Sequence, residues 1–123
     1  NSHQYHDIIN IYDRSKILVN VHQTTTHHTF EEFRCLPALL RGVLVISEIS
    51  PLLETVPYHK YILWSSGYNL PNITRHVLHN YRHYYDKIHG LNSNLDLVLK
   101  DMYKQAIFST HKILDSVQDR KYQ

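Results

Sequence analysis

Apolar positions recur along this chain in two rhythms. Tyr5, Ile8, Ile9 and Tyr12 share one helical face, which predicts a first helix over 5–16. Ile17-Leu18-Val19-Asn20-Val21-His22 is β-branched and mostly apolar without alternation, the pattern of a strand buried on both faces. The polar stretch 23–28 reads as a loop. Thr29-Phe30-Glu31-Glu32 has the form of a capping box, with Thr29 at the N-cap and Glu32 reaching back. The helix it opens should run to Arg41 and stop at Gly42 in a left-handed cap. Pro37 lies inside that helix and should kink it or start a second one.

Val43-Leu44-Val45-Ile46-Ser47 is the clearest parallel-strand candidate. Pro51 then opens a short helical turn over 52–56, and Tyr61-Ile62-Leu63-Trp64 predicts a third strand. Ile73, Val77, Tyr81, Tyr84 and Ile88 fall on one face of a helix ended by Gly90. Leu95, Val98, Leu99, Met102, Ala106, Ile107, Ile113 and Leu114 continue as a long amphipathic helix, with a break expected near Ser109-Thr110.

Strands alternating with helices imply βαβ units and a parallel sheet. The expected class is α/β: a Rossmann-like partial domain, its short parallel sheet flanked by helices and followed by long C-terminal helices. Three parallel strands with open edges make a poor free-standing domain. The chain is therefore expected to be the second half of a doubly wound domain, its first strands and Gly-rich turns lying elsewhere.

Composition narrows the chemistry. In 123 residues, 42% are hydrophobic and 20% charged, as expected for one globular domain. A net charge of +2 is too small to announce a nucleic-acid or membrane surface. A single Cys35 excludes an internal disulfide framework and fits a reducing, cytoplasmic compartment. No apolar run approaches the roughly 20 residues of a membrane span. Only three glycines are present, too few for a Gly-rich phosphate loop.

The segment from Asp13 to Gly90 carries a more specific pattern. Lys16-Ile17-Leu18-Val19-Asn20-Val21-His22 is followed by Glu31-Glu32-Phe33-Arg34 running to Gly42, then by Val43-Leu44-Val45-Ile46-Ser47-Glu48. In this order the motifs resemble the C-terminal domain of two-domain (GT-B) glycosyltransferases of the group-1 type. The resemblance implies that residues 1–123 are the nucleotide-sugar-binding half of a larger two-domain enzyme. The donor would sit outside the carboxyl ends of the strands, where ligands of open parallel sheets bind. The residues implied are Asn20, His22, Thr29, Glu31, Glu32, Arg34, Ser47, Glu48 and Ser50, with the helix start and Arg34 facing the diphosphate. The acceptor site and the catalytic base would lie in the missing N-terminal domain, and no cofactor or protein-bound metal is implied. Relatives usually place a ribose-binding Glu five residues before the Gly; here that place is Pro37.

Each of these residues has a plainer reading. Arg34 can pair with Glu31 on the helix surface, Glu32 can serve as a cap, and Ser50 can be the N-cap of the turn after it. His76, His79 and His83 share a helix face at a spacing that could bind a metal, but they lie beside Arg75, Asn80 and Arg82, as on a solvated polar face. Cys35 reads as a small buried apolar residue. Two other functional classes compete with the enzyme. One is a non-catalytic interaction domain that keeps the fold, motivated by Pro37. The other is a flavodoxin-like regulatory domain, which would need an acidic cluster at the first strand end.

Overall fold

The computed structural model describes residues 2–22 and 30–121. The fold is α/β. Helix α1 (Ser2–Arg14) precedes strand β1 (Ile17–Asn20), then come α2 (Glu32–Leu40), β2 (Leu44–Glu48), β3 (Leu63–Ser65), α3 (Leu70–His79), α4 (Tyr81–His89) and α5 (Leu95–Lys121). Short 3-10 turns at Leu53–Thr55 and His59–Tyr61 lead from β2 into β3. By contact the chain divides into two compact units, residues 1–93 and 94–123.

The sheet is parallel throughout, in the order β1-β2-β3. Its centre is β2, in which Leu44, Val45, Ile46 and Ser47 are wholly buried. This is the continuous apolar run read from the sequence, and central position explains it, since both faces and both edges are covered. Helix α2 packs on β1 and β2, while α3 and α4 pack on β2. Leu39 of α2 and Leu44 and Ile46 of β2 are buried in the core. Each such side chain contributes about 1.5–3 kcal/mol by leaving water.

Several expectations need correction. β1 is not buried on both faces: it is an edge strand, and Val19 is 37% exposed. The third strand begins at Leu63 rather than Tyr61, because Tyr61 donates its backbone N–H to the Tyr58 carbonyl and closes a 3-10 turn. Ile73 to Ile88 is not one helix. At Asn80 the side-chain amide donates to the His76 carbonyl at 2.9 Å and the backbone turns to φ −118°, ψ 32°, so α3 ends and α4 begins. The break expected near Ser109-Thr110 does not occur. Thr110 stays helical by donating its hydroxyl to the Ala106 carbonyl, and α5 is continuous over 27 residues.

The end of α2 follows the expectation closely. Gly42 adopts φ +81°; its N–H bonds the Leu39 carbonyl, and the Val43 N–H bonds the Ala38 carbonyl. These paired bonds form a Schellman cap, and the left-handed residue at its heart is what glycine permits at least cost. Pro37 neither splits the helix nor starts another; it lies inside a single α2. The start of α2 differs from the expectation. The helix begins at Glu32 with Glu31 in the capping position and without a side-chain cap, while Thr29 lies outside the described residues.

Candidate functional site

In a parallel sheet, residues paired across strands point to the same face. Asn20, Ser47 and Trp64 are such a row, the last rung linking all three strands. Asn20 and Ser47 are fully buried, and the Asn20 amide donates to Ser47 Oγ at 3.1 Å. The Ser47 hydroxyl donates in turn to the Glu48 carbonyl at 3.0 Å. A strand interior rarely spends two fully buried positions on polar side chains, so their mutual bond is what makes the arrangement tolerable.

One residue on, Glu48 pairs with Ser65 and faces the opposite side. Its Oε1 accepts the His22 backbone N–H at 3.1 Å, and its Oε2 lies 3.4 Å from His22 Nδ1. Gly67 closes over the same carboxylate: a Cβ there would stand 3.1 Å from Glu48 Oε2. The carboxylate therefore ties the segment after β1 to the end of β2, with Gly67 of the loop leaving β3 packed close against it. Its charge is answered by a backbone amide and an imidazole edge, the usual condition for keeping a half-buried carboxylate.

Aromatic rings gather at Trp64, the third member of this row. Phe30 packs on Trp64 at 5.2 Å between centroids and on Tyr58 at 6.1 Å. The Trp64 ring is oriented by its own N–H, which donates to the His59 carbonyl at 2.9 Å. Tyr58 is fully buried, and its hydroxyl has no hydrogen-bond partner among the described residues. Burial raises its pKa, and the nearby Glu32 carboxylate raises it further. The Asn20 Oδ1 and Ser50 Oγ atoms are likewise buried and unmatched among the described residues.

Four of the nine expected residues thus form two pairs at the strand tips, Asn20 with Ser47 on one face of the sheet and His22 with Glu48 on the other. Ser50 is buried on the loop leaving β2. It does not cap the following turn; that position belongs to Leu52, held at φ +62°. Glu32 faces Tyr58. Arg34 pairs with Glu31 at 3.0 Å on the surface of α2, which is its plainer reading, and its backbone carbonyl accepts the Tyr12 hydroxyl. Glu31 is occupied by that same pair. Thr29 lies outside the described residues.

The sequence reading passed over Tyr58, Phe30, Trp64 and Gly67. Trp64 could have been found from strand register alone. Tyr58 could not, since its place depends on two 3-10 turns folding the chain back onto α2. Cys35 is buried and its thiol is pushed up to about 12, chiefly by burial, so it stays protonated and inert.

Among the described residues, no group of three or more His, Cys, Asp or Glu side chains is arranged to hold a metal ion. His76 and His83 instead present their rings to Tyr84 in edge contacts. An open cavity of about 450 Å³ lies at the end of α4, lined in part by Arg82, Tyr85, Asp86 and His89. Its polar lining is engaged internally: Arg82 with Asp86, and His89 with the Val43 carbonyl. Among the described residues, no helix is long and apolar enough to cross a membrane.

No protein-family profile matches the chain, and no solved structure matches it. A protein of Acanthamoeba polyphaga mimivirus, itself described as uncharacterized, is 29% identical over 77 residues. The match takes in 59% of this chain and 28% of the viral protein.

Proposed function

We propose that this chain is the donor-binding half of a GT-B type glycosyltransferase, taking a nucleotide-diphosphate sugar at the carboxyl ends of its sheet. The observation that supports this reading is that two polar pairs, Asn20 with Ser47 and His22 with Glu48, lie at the carboxyl ends of β1 and β2. Polar side chains are gathered at the one edge of a parallel sheet where ligands characteristically bind. The motifs that suggested the family also lie on β1, α2 and β2 in the order the resemblance requires.

On this reading the chemistry is electrostatic. The leaving diphosphate needs positive charge, and Arg34, 43% exposed at the first turn of α2, can turn from Glu31 toward it. The acceptor and the base that activates it would come from another domain.

Calorimetric titration of the chain with UDP, GDP and ADP, and with UDP-glucose, GDP-mannose and ADP-glucose, tests the proposal. At least one series should bind, and Asn20→Ala should weaken it about tenfold, the worth of one good hydrogen bond network member. A folded chain that binds none of the six defeats the donor reading. That outcome favours a non-catalytic interaction domain, a reading to which Pro37 and the closed Glu31–Arg34 pair already lend weight.

A further inference from the structure

We infer that α5 is a self-association helix, whose apolar stripe from Leu99 to Val117 docks against the same stripe of a second copy of this chain. The inference stands apart from the donor-site reading and goes beyond it.

The helix needs a cover. From Asp101 to Gln118 every residue but Met102 is exposed, and Tyr103, Ile113, Leu114 and Val117 each keep more than half of their surface in water. Helices in proteins draw most of their stability from packing one apolar face. Residues 94–123 form a compact unit in which α5 is the only element among the described residues, so that unit offers the face nothing to pack on.

The spacing is that of a seam between helices. Leu99, Tyr103, Ala106, Thr110, Ile113 and Val117 recur in steps of four and three, the repeat that lets two helices interlock along their length. The hydroxyl in mid-seam is already satisfied, because Thr110 donates to the Ala106 carbonyl at 2.9 Å. It can be covered without losing a hydrogen bond.

Charge, size and area select a second copy as the occupant. The flanks of the seam from Met102 to Ser116 are Met102, Ile107, Ser109, Leu114 and Ser116, all uncharged, while Asp101, Lys104, Lys112 and Asp115 lie away from it. A copy therefore meets no like charge along this stretch, and the flanking charges that would choose a different helix are absent. Laid antiparallel, the seam matches itself in size: Ala106 meets Thr110, Tyr103 meets Ile113, and Leu99 meets Val117. Lys100 then faces Leu114 of the copy. The exposed parts of Tyr103, Ile107, Ile113, Leu114 and Val117 come to roughly 500 Å², so two copies would cover about 1,000 Å², where specific interfaces begin.

Sedimentation equilibrium of the full 123-residue chain tests the inference against its monomer mass of 14.7 kDa. The wild type should reach twice that mass within a range up to about 100 μM, and its melting temperature should rise with concentration. Ile113→Glu and Val117→Glu, both at exposed positions, should each raise the dissociation constant about tenfold or more. Phe108→Glu replaces an equally exposed apolar residue on the reverse face and should leave the constant unchanged. Near-ultraviolet circular dichroism of the single Trp64 checks that the sheet is intact in each variant. A wild type that stays at the monomer mass throughout overturns the inference and leaves the stripe to a different partner. Weakening by Phe108→Glu as large as that of the seam variants overturns it as well, since the association would then be unspecific. So does unchanged dimerisation in both seam variants.

Discussion

The two ends of the sheet are built on opposite terms. At the amino end, where α2 hands over to β2, the polar groups are answered from within. Arg41 grips Asp13 with two bonds of 2.8 Å, His89 Nε2 donates to the Val43 carbonyl at 2.9 Å, and Gly42 closes the α2 cap. The Lys16 ammonium lies over the Tyr81 ring. At the carboxyl end the fold gathers Asn20, Ser47, Glu48 and Tyr58 in or near the core and leaves three of their neighbourhood's polar atoms, Asn20 Oδ1, Ser50 Oγ and Tyr58 Oη, unmatched among the described residues. One end spends its polar groups on stability. The other holds hydrogen-bonding capacity in reserve, at the place where an open α/β sheet binds ligands.

The contrast can be broken first at His89. His89→Ala leaves the carbonyl of wholly buried Val43 without its side-chain donor and removes the ring that packs on Tyr85. Urea denaturation should show a loss of about 1–3 kcal/mol. A loss no larger than that of Tyr58→Phe, expected within about 0.5 kcal/mol of the wild type, would erase the distinction between the ends. Gly42→Ala comes next. The nearest atom to an added Cβ is the Tyr85 hydroxyl at 3.9 Å, so there is room for the methyl and the cost is torsional. It should be about 1–2 kcal/mol, and Gly42→Asn should recover part of it, because asparagine tolerates the left-handed region better.

The smallest effect belongs to the exposed Asp13–Arg41 pair, which water and salt screen. The Arg41 guanidinium holds the Asp13 carboxyl below its usual range. A depressed folded-state pKa contributes stability above the unfolded value and loses it as pH falls through the folded value. Asp13→Asn should therefore lower the melting temperature slightly at neutral pH, and the difference should close as pH falls from about 4 downward. A difference that persists unchanged into strong acid would show that packing, not charge, holds this corner.

Much of this architecture is legible residue by residue. The run Val43–Ser47 is apolar because β2 is central, and Gly42 stands where α2 ends because its cap needs a positive φ. The pairs Asn20–Ser47 and His22–Glu48 were also readable, because the tips of neighbouring parallel strands lie side by side. Other features depended on competition that periodicity does not register. The hydrophobic spacing from Ile73 to Ile88 favours one helix, yet at Asn80 the backbone leaves the helical region and both the amide N–H and the side chain of Asn80 bond the His76 carbonyl, ending α3. The apolar character of β1 suggests burial, yet its place in the sheet was not encoded in its own composition, and Val19 is left partly in water.

What the sequence by itself determined is the parallel α/β class, the central strand and the cap that ends α2. These follow from local rules: side-chain period, cap residues and the need of apolar runs to be covered. Only the tertiary structure decided which polar groups are used up and which are held back. Arg34 is closed on Glu31, while Tyr58, far along the chain, is carried into the core beside Glu32. Pairing and desolvation depend on distances between residues remote in sequence, and folding alone sets those distances.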